Sequence, residues 1–182
     1  MKLLKTFGRV ATFVAIGVVG WVYFQAEQVS PYDVEAIVKE RAEGVHVGNI
    51  APSFTLKTLS GTQDGYLPRP GNTIIHFFAT WCYPCQEEMP FIVRLHEQLR
   101  AQGDTFLAVN LTHEGDRQSD LSAFLNHFEA TFDPVLDERG DIQQLYQIVG
   151  IPTTIVIGRD GIIEDRITGA LSPQMIDQWV SF

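Results

Sequence analysis

Apolar residues recur along the first half of the folded region in two patterns, one typical of buried strands and one typical of an amphipathic helix. The nearly continuous apolar run at 73–78 predicts a strand that is covered on both faces. A helix is predicted from about Pro84 to Gln102, and the interior Pro90 favours a kink in it. The apolar run at 105–111 predicts the next strand. Because a helix connects these two strands, they are expected to be parallel.

Beyond this point the spacing of apolar residues predicts two further helices and a very short strand. The helices are expected at 118–128 and 141–149, and the strand is expected at 134–136. The inward face of the second helix is expected to consist of Ile142, Leu145 and Ile148.

The last part of the chain predicts a hairpin followed by a helix. Apolar runs at 153–157 and 162–168 flank Arg159-Asp160-Gly161, and an Asp-Gly pair between such runs is a hairpin signal. Ser172 and Pro173 suit the start of a final helix. Strands that alternate with helices and then end in a hairpin predict an α/β domain with a central mixed β-sheet flanked by helices.

The amino-terminal segment has a different character, because no charged residue lies between Arg9 and Glu27. We predict a transmembrane signal-anchor at 7–26, since a spanning helix needs roughly 17–25 residues and Arg9 can reach the headgroups. Positive residues precede this segment and acidic residues follow it, so the positive-inside rule places residues 1–6 in the cytoplasm. Residues 27–46 are then a linker with a short helix, and 47–182 form the extracytoplasmic domain.

Two other interpretations of the segment stay open. A cleaved signal peptide is one, although a cut after Ala26 would put the bulky Phe24 where a small residue is expected. A buried core helix is the other. The signal-anchor and the cleaved signal peptide would both export the domain, to the periplasm or the outer side of the membrane.

The charge of the chain argues against a nucleic-acid partner. The formal net charge is −9, and the first 24 residues carry three positive charges and no acid, which leaves about −12 for the remainder. No basic patch stands out in that remainder, so we expect an acidic, solvated surface.

The candidate chemistry lies in Trp81-Cys82-Tyr83-Pro84-Cys85, which follows the buried strand and opens the long helix. It contains both cysteines of the chain. A disulfide between such near neighbours would close almost no loop, so exchange chemistry explains the pair better than structural stabilisation. The helix amino terminus favours a thiolate at Cys82, which we predict to be the nucleophile, with Cys85 resolving the mixed disulfide. The redox group is then the cysteine pair itself, and no other cofactor is expected.

Metal binding is the competing interpretation of polar clusters in this chain. Two thiolates alone make an incomplete zinc site, and no second pair of ligands follows them. His113, Glu114 and Asp116 follow a strand whose carboxyl end should lie at the edge of the site, and a solvated loop is favoured over a metal site there.

The ordered set of motifs resembles the thioredoxin fold, and more closely the membrane-anchored thiol–disulfide oxidoreductases of the TlpA/ResA type, within the AhpC/TSA–redoxin-like group. The resemblance covers roughly residues 47–182. The stretches that carry it are Ala51-Pro52-Ser53-Phe54-Thr55-Leu56, Phe77-Phe78-Ala79-Thr80-Trp81-Cys82 with Glu87-Glu88-Met89-Pro90, Gly150-Ile151-Pro152-Thr153-Thr154 and Ile157-Gly158-Arg159-Asp160-Gly161.

This resemblance implies roles for several residues. It implies a cis Ile151–Pro152 peptide bond that faces the cysteines, where Pro152 keeps the site open and Ile151 offers backbone groups to an extended substrate. It also implies that Glu88 lies beside the site and helps proton transfer, against the alternative of a solvated carboxylate like Glu87.

His76 departs from the family pattern, because thioredoxin carries a buried acid at this slot. A proton relay to Cys85 and a buried neutral imidazole bonded to a backbone group are both open, the second slightly favoured. Trp81, Tyr83 and Pro84 are expected to contact substrate and, for the last two, to tune the redox potential.

The resemblance further implies partners. Electrons would come from a membrane thiol transporter of the CcdA/DsbD type, and the substrates would be exported cysteine-containing proteins, such as apocytochrome c or copper-site proteins. Two alternatives stay open at this point. One is a peroxiredoxin-like peroxide reductase, although the usual T-x-x-C is absent because Thr80 lies only two residues before Cys82. The other is a copper-delivery module.

Overall fold

A computed structural model describes Trp21 and residues 42–180, in which a compact unit starts at Ala42. The predicted tail at 1–6 and, apart from Trp21, the predicted membrane segment at 7–26 lie outside the described residues. Within the described part of the chain, no helix has the length and apolar character required to cross a bilayer.

The order of elements alternates strands with helices and ends in a hairpin and a helix, as predicted. The strands are β1 Leu56–Lys57, β2 Gln63–Asp64, β3 Thr73–Phe78, β4 Thr105–Asn110, β5 Val135–Leu136, β6 Thr153–Ile157 and β7 Ile163–Thr168. The helices are α1 Tyr83–Gln102, α2 Gln118–His127, α3 Asp141–Leu145 and α4 Pro173–Val180.

Five strands form a central mixed sheet in the order β5-β4-β3-β6-β7. β3 pairs with β4 in parallel and with β6 in antiparallel orientation, so the predicted crossover and the predicted hairpin are both confirmed. The turn of the hairpin contains Gly161 with φ of 79°, a left-handed conformation that glycine adopts without steric cost. β1 and β2 form a separate antiparallel pair.

The helix α1 runs from Tyr83 to Gln102 without interruption, so Pro90 does not end it. It carries a stripe of buried apolar residues that packs on one face of the sheet, and these are Met89, Ile92, Leu95 and Leu99. The opposite face of the sheet is covered by α3 and by the segment that precedes β1. The sheet is therefore buried between two layers, as the apolar run of β3 predicts.

Alternation along β3 decides which side chains meet α1. Ile74 and Phe78 belong to the core cluster on the α1 face, and Ile75 and Phe77 belong to the cluster on the other face. Successive side chains of a strand point to opposite faces, so His76 shares the α1 face. The register places His76 opposite Thr154 of β6.

Two sequence predictions are corrected here. The helix α3 ends at Leu145, which is 39% exposed, while Tyr146 is fully buried and donates its hydroxyl hydrogen to the Pro52 carbonyl at 2.5 Å. Ile142 and Ile148 are buried as predicted, and Tyr146 rather than Leu145 fills the core between them. Part of the predicted linker is also folded, because Val45 is buried in the core.

Candidate active site

The two cysteines lie at the amino terminus of α1, as predicted. Cys82 is the N-cap residue with extended backbone angles, and Pro84 occupies the first turn, where a missing N–H costs nothing. A disulfide joins Cys82 to Cys85, with their Cα atoms 5.3 Å apart. The Cys85 N–H donates to Cys82 Sγ at 3.4 Å, so a free amide of the first helical turn already faces this sulfur.

The loop before β6 closes the other side of the disulfide. The Ile151–Pro152 peptide bond is cis, which confirms the prediction. The Ile151 carbonyl oxygen lies 3.7 Å from Cys82 Sγ. Cys82 is 5% exposed and Cys85 is fully buried, so Cys82 is the sulfur that a partner can reach.

A buried pair of ionisable groups, His76 and Glu88, lies behind the cysteines. His76 is fully buried and Glu88 is 2% exposed, with His76 Nε2 and Glu88 Oε1 3.4 Å apart. Neither of these two atoms has a hydrogen-bond partner elsewhere. Glu88 Oε2 accepts from the Leu171 N–H at 2.7 Å, and His76 Nδ1 lies 3.0 Å from the Thr154 hydroxyl.

Burial decides the charge of this pair. It lowers the pKa of His76 to about 3, so the imidazole is neutral at physiological pH. It raises the pKa of Glu88 to about 7, and the N–H of Leu171 opposes that rise only in part. Glu88 therefore changes its protonation state near neutral pH while His76 does not become a cation.

Each protonation state of Glu88 matches a different tautomer of the neutral His76. When Glu88 is protonated, it can donate to His76 Nε2, and the Nδ1–H then donates to Thr154. When Glu88 is ionised, it can accept from an Nε2–H, and Nδ1 then accepts from the Thr154 hydroxyl. A threonine hydroxyl can both donate and accept, so Thr154 suits both tautomers.

These contacts change two sequence interpretations. The solvated alternative for Glu88 is wrong, because the carboxyl is buried, whereas Glu87 is exposed as expected. His76 is a buried neutral imidazole, but its partner is the side chain of Thr154 and not a backbone group. Proton transfer from either group to Cys85 stays a prediction.

The predicted substrate-contacting residues surround the reachable sulfur. Trp81 is 54% exposed, Tyr83 is 67% exposed, and Pro84 is also exposed. Ile151 is half-buried beside them. Exposed aromatic side chains at the rim of a reactive group suit contact with a partner protein.

Asp116 has a structural role that the sequence interpretation missed. Instead of lying in a solvated loop, it is 7% exposed, and it accepts from the Thr80 N–H at 2.8 Å, the Thr80 hydroxyl at 2.5 Å and the Asn110 side chain at 2.6 Å. The Thr80 carbonyl accepts from the Gln86 side chain at 2.7 Å. All three polar groups of Thr80 are thus held by side chains, which fixes the backbone two residues before Cys82.

His113 and Glu114 lie at the same edge of the sheet as expected. His113 Nε2 faces the Gln143 side-chain oxygen at 2.5 Å, and the Gln143 amide donates to Glu114 at 2.8 Å. Among the described residues, no three His, Cys, Asp or Glu side chains are grouped so that they could hold a metal ion. The polar residues of this loop therefore bond to one another and to α3.

Comparison with known proteins groups this chain with redox proteins. The model of the AhpC/TSA family matches residues 47–166. The thioredoxin-like protein YneN of Bacillus subtilis is 28% identical over 177 residues, which is 97% of this chain and 96% of YneN. The thiol-disulfide oxidoreductase ResA of Geobacillus thermodenitrificans is 31% identical over 148 residues, which is 81% of this chain and 83% of ResA.

A solved structure supports the same grouping. The crystal structure of StoA from Bacillus subtilis matches with a TM-score of 0.62 and 27% identity, and the match covers 71% of this chain and 95% of that one.

The raised pKa of Glu88 predicts how stability depends on pH. The folded protein keeps a proton that the unfolded chain loses above the ordinary carboxyl pKa of 4.5, so the burial of Glu88 costs more stability as pH rises from there to about 7. Glu88→Gln keeps an oxygen for Leu171 and a donor for His76 but does not titrate. Relative to wild type, this variant should gain ~2 kcal/mol in free energy of unfolding between pH 5 and pH 8.

Urea unfolding of the oxidised protein at a series of pH values measures this difference. Glu87→Gln is the matched control, because Glu87 is exposed on the same helix and should show no such trend. The titration of His76 is common to wild type and variant and cancels to first order. A difference between wild type and Glu88→Gln that stays constant with pH would show that Glu88 has an ordinary pKa.

Proposed function

The chain belongs to the AhpC/TSA family, and we propose that it is a thiol–disulfide oxidoreductase that reduces disulfides in exported proteins. The structural match with StoA confirms the predicted thioredoxin-like fold. The similarity to ResA, which is named a thiol-disulfide oxidoreductase, supports the enzyme class.

The single observation that carries the proposal is the disulfide at the start of α1. It joins a sulfur that partners can reach to one that is fully buried, and the Ile151 carbonyl faces the first of them. A structural disulfide has no need of this asymmetry. A two-step exchange requires this difference in exposure, because one sulfur must react with the substrate while the other stays protected until it resolves the mixed disulfide.

The electrons move in two exchange steps from the reduced dithiol. Cys82 attacks one sulfur of a substrate disulfide, the substrate S–S bond breaks, and one substrate thiolate leaves and takes up a proton. The thiolate of Cys85 then attacks Cys82 Sγ, which forms the Cys82–Cys85 disulfide and releases the second substrate thiolate. The dithiol has given two electrons to the substrate disulfide. No cofactor other than the cysteine pair is invoked.

The second step requires that Cys85 lose its proton inside the protein. Its full burial disfavours a thiolate, so a nearby base must accept the proton. Glu88 lies one helical turn after Cys85, and its pKa of about 7 suits proton acceptance at neutral pH. We assign Glu88 this role and His76 the role of holding the carboxyl through the Nε2 contact.

Substrate recognition uses the rim of the site. Ile151 presents backbone groups to an extended segment of the substrate, and Pro152, which has no N–H, cannot compete for those groups. Trp81 and Tyr83 supply exposed aromatic surface next to the reactive sulfur, with Pro84 beside them.

The proposed location rests on the amino-terminal segment, and the proposed partners rest on the resemblance to the TlpA/ResA type. The predicted signal-anchor at 7–26, which is uncharged from Val10 to Ala26, holds the chain in the membrane with the domain on the extracytoplasmic side, and a membrane thiol transporter of the CcdA/DsbD type re-reduces it. In that compartment oxidants already exist, so a tethered dithiol is more useful as a reductant. Apocytochrome c and copper-site proteins are the substrates proposed. Peroxide reduction is less well supported, because the Thr80 hydroxyl is bound to Asp116.

Replacing the resolving cysteine should trap substrates. In Cys85→Ser the first exchange still occurs, but the mixed disulfide through Cys82 cannot be resolved, so disulfide-linked adducts should accumulate. Non-reducing gels and mass spectrometry of the purified protein from the native host identify them. Cys82→Ser, the matched control, should capture none. If Cys85→Ser captures no exported protein, the reductase proposal is wrong.

The proton step should give the reaction a pH dependence centred near 7. The reduced protein should react with insulin disulfides faster as pH rises through the pKa of Glu88, because only the carboxylate accepts the Cys85 proton. Glu88→Gln should remove this rise and lower the rate at pH 7 by at least ~tenfold. Thr154→Val, which deprives His76 Nδ1 of its hydroxyl partner, should displace the midpoint.

Single-turnover kinetics between pH 5.5 and 8.5 measure these profiles. Glu87→Gln serves as the control and should keep the wild-type profile. An unchanged profile in Glu88→Gln would remove the carboxyl from the mechanism, while an unchanged midpoint in Thr154→Val would remove the imidazole.

The proposed location can be tested with the same two cysteines, which are the only ones in the chain. After mild reduction, a membrane-impermeant maleimide should label the protein in intact spheroplasts. The labelled protein should also stay in the membrane pellet after a high-salt wash. Labelling only after lysis would contradict the orientation, and release of the domain into the soluble fraction would support a cleaved signal peptide instead.

A further inference from the structure

A surface groove beside the reachable sulfur suggests which substrate segments this protein accepts. The groove has a volume of about 310 Å³ and borders Cys82 through Ile151, whose carbonyl faces the sulfur. Its lining consists of Trp81, Leu111, Glu114, Gln143, Val149, Gly150 and Ile151.

One wall of the groove is apolar and unusually exposed. Val149 is 92% exposed and Trp81 is 54% exposed, although both are large apolar residues. Val149 lies two residues before Ile151, so a chain that pairs with the Ile151 backbone passes over it. An apolar side chain next to the substrate cysteine would cover this wall.

The two polar side chains of the lining, Glu114 and Gln143, are held in place. Gln143 donates to Glu114 Oε1 at 2.8 Å, and Gln143 is itself bonded to His113. The Asp137 carboxylate accepts from the Gln143 backbone N–H at 2.8 Å, which fixes the start of α3. Within the part of the chain that the structure describes, Gln143 and His113 both face Glu114 Oε1, which leaves Oε2 as the oxygen that a ligand can approach.

The acidity of the chain favours a cation as the ligand of Glu114. The chain after residue 24 carries a net charge of about −12, which raises the encounter rate of positive partners. Arg117, the cation next to this loop, donates to both carboxylate oxygens of Asp120 and does not neutralise Glu114.

We propose that Glu114 and Val149 select substrate segments in which an apolar residue and a lysine or arginine flank the reactive cysteine. The apolar side chain packs on Val149 and Trp81, and the cation binds Glu114. This inference rests on the proposed oxidoreductase function and names the class of segment that the same site accepts.

The test uses two peptides that differ in one residue. Each carries a single cysteine linked to thionitrobenzoate as a mixed disulfide, with a leucine next to the cysteine and either lysine or glutamate two residues away. Cys82 of the reduced protein displaces thionitrobenzoate, and Cys85 then releases the peptide thiol in a single turnover. The ratio of the second-order rate constant for the lysine peptide to that for the glutamate peptide is measured at low salt. We expect a ratio of about five in wild type, since a partly exposed charge pair contributes at this level.

Variants assign this preference to its residues. Glu114→Gln should bring the ratio close to one, and Glu114→Lys should invert it. Glu97→Gln, which removes an exposed acid of α1 elsewhere, should keep the wild-type ratio. Val149→Ser should lower the second-order rate constant for both peptides about threefold with little change in the ratio, because it removes only apolar contact. A wild-type ratio near one, or a ratio that does not respond to Glu114, overturns the proposal.

An uncharged small disulfide, bis(2-hydroxyethyl) disulfide, distinguishes a failure of the selection by Glu114 from a failure of the oxidoreductase function. If the wild-type protein reduces it but does not distinguish the peptides, the selection by Glu114 is wrong and the oxidoreductase function stands. If the reduced protein fails to react with the small disulfide and with both peptides, the oxidoreductase function itself is wrong, and this inference falls with it.

Discussion

The contact between His76 and Glu88 is the constraint on which the rest of the site depends. It exists because alternation along β3 turns His76 toward α1, and because Glu88 follows Cys85 by one helical turn. Both groups are buried, so the charged form of each is disfavoured and the pKa of Glu88 rises while that of His76 falls. The disulfide lies at the start of the same helix. The Glu88 carboxyl, which gains or loses a proton near neutral pH, therefore lies one helical turn from Cys85.

The buried His76–Glu88 pair lowers the stability of the folded state but supplies a base for the reaction. An apolar pair at positions 76 and 88 would pack in the same space and would leave no titrating carboxyl inside the protein. The buried carboxyl instead has a pKa of about 7, so the folded state loses stability at the pH at which the group is most useful as a base. Leu171 and Thr154 limit that loss, because each contributes one hydrogen-bonding group to the pair.

Local patterns were enough to predict the strands, the long helix and the place of Cys82, whereas the cis bond before Pro152 was expected only from the resemblance to the thioredoxin-like family. Each of the first three depends on residue spacing or on a short motif. The partners of Asp116 and Thr154 could not be predicted in this way, because they come from distant parts of the chain that only the sheet register brings together. Leu145 failed for a related reason, since the helix ends there and the following Tyr146 takes the buried position.

The loop after β4 connects the interior of the site to its surface. Its buried end, Asp116, holds Thr80 and so fixes the backbone that leads into Cys82. Its outer end, Glu114, is fixed through Gln143 and lines the groove where a substrate segment would lie. One short segment thus positions the nucleophile and part of the surface that a substrate meets. A substitution of Asp116 would disturb the backbone that leads into Cys82, whereas a substitution of Glu114 would change only the surface of the groove. Glu114 is therefore the position of this loop at which substrate preference can change without loss of the site.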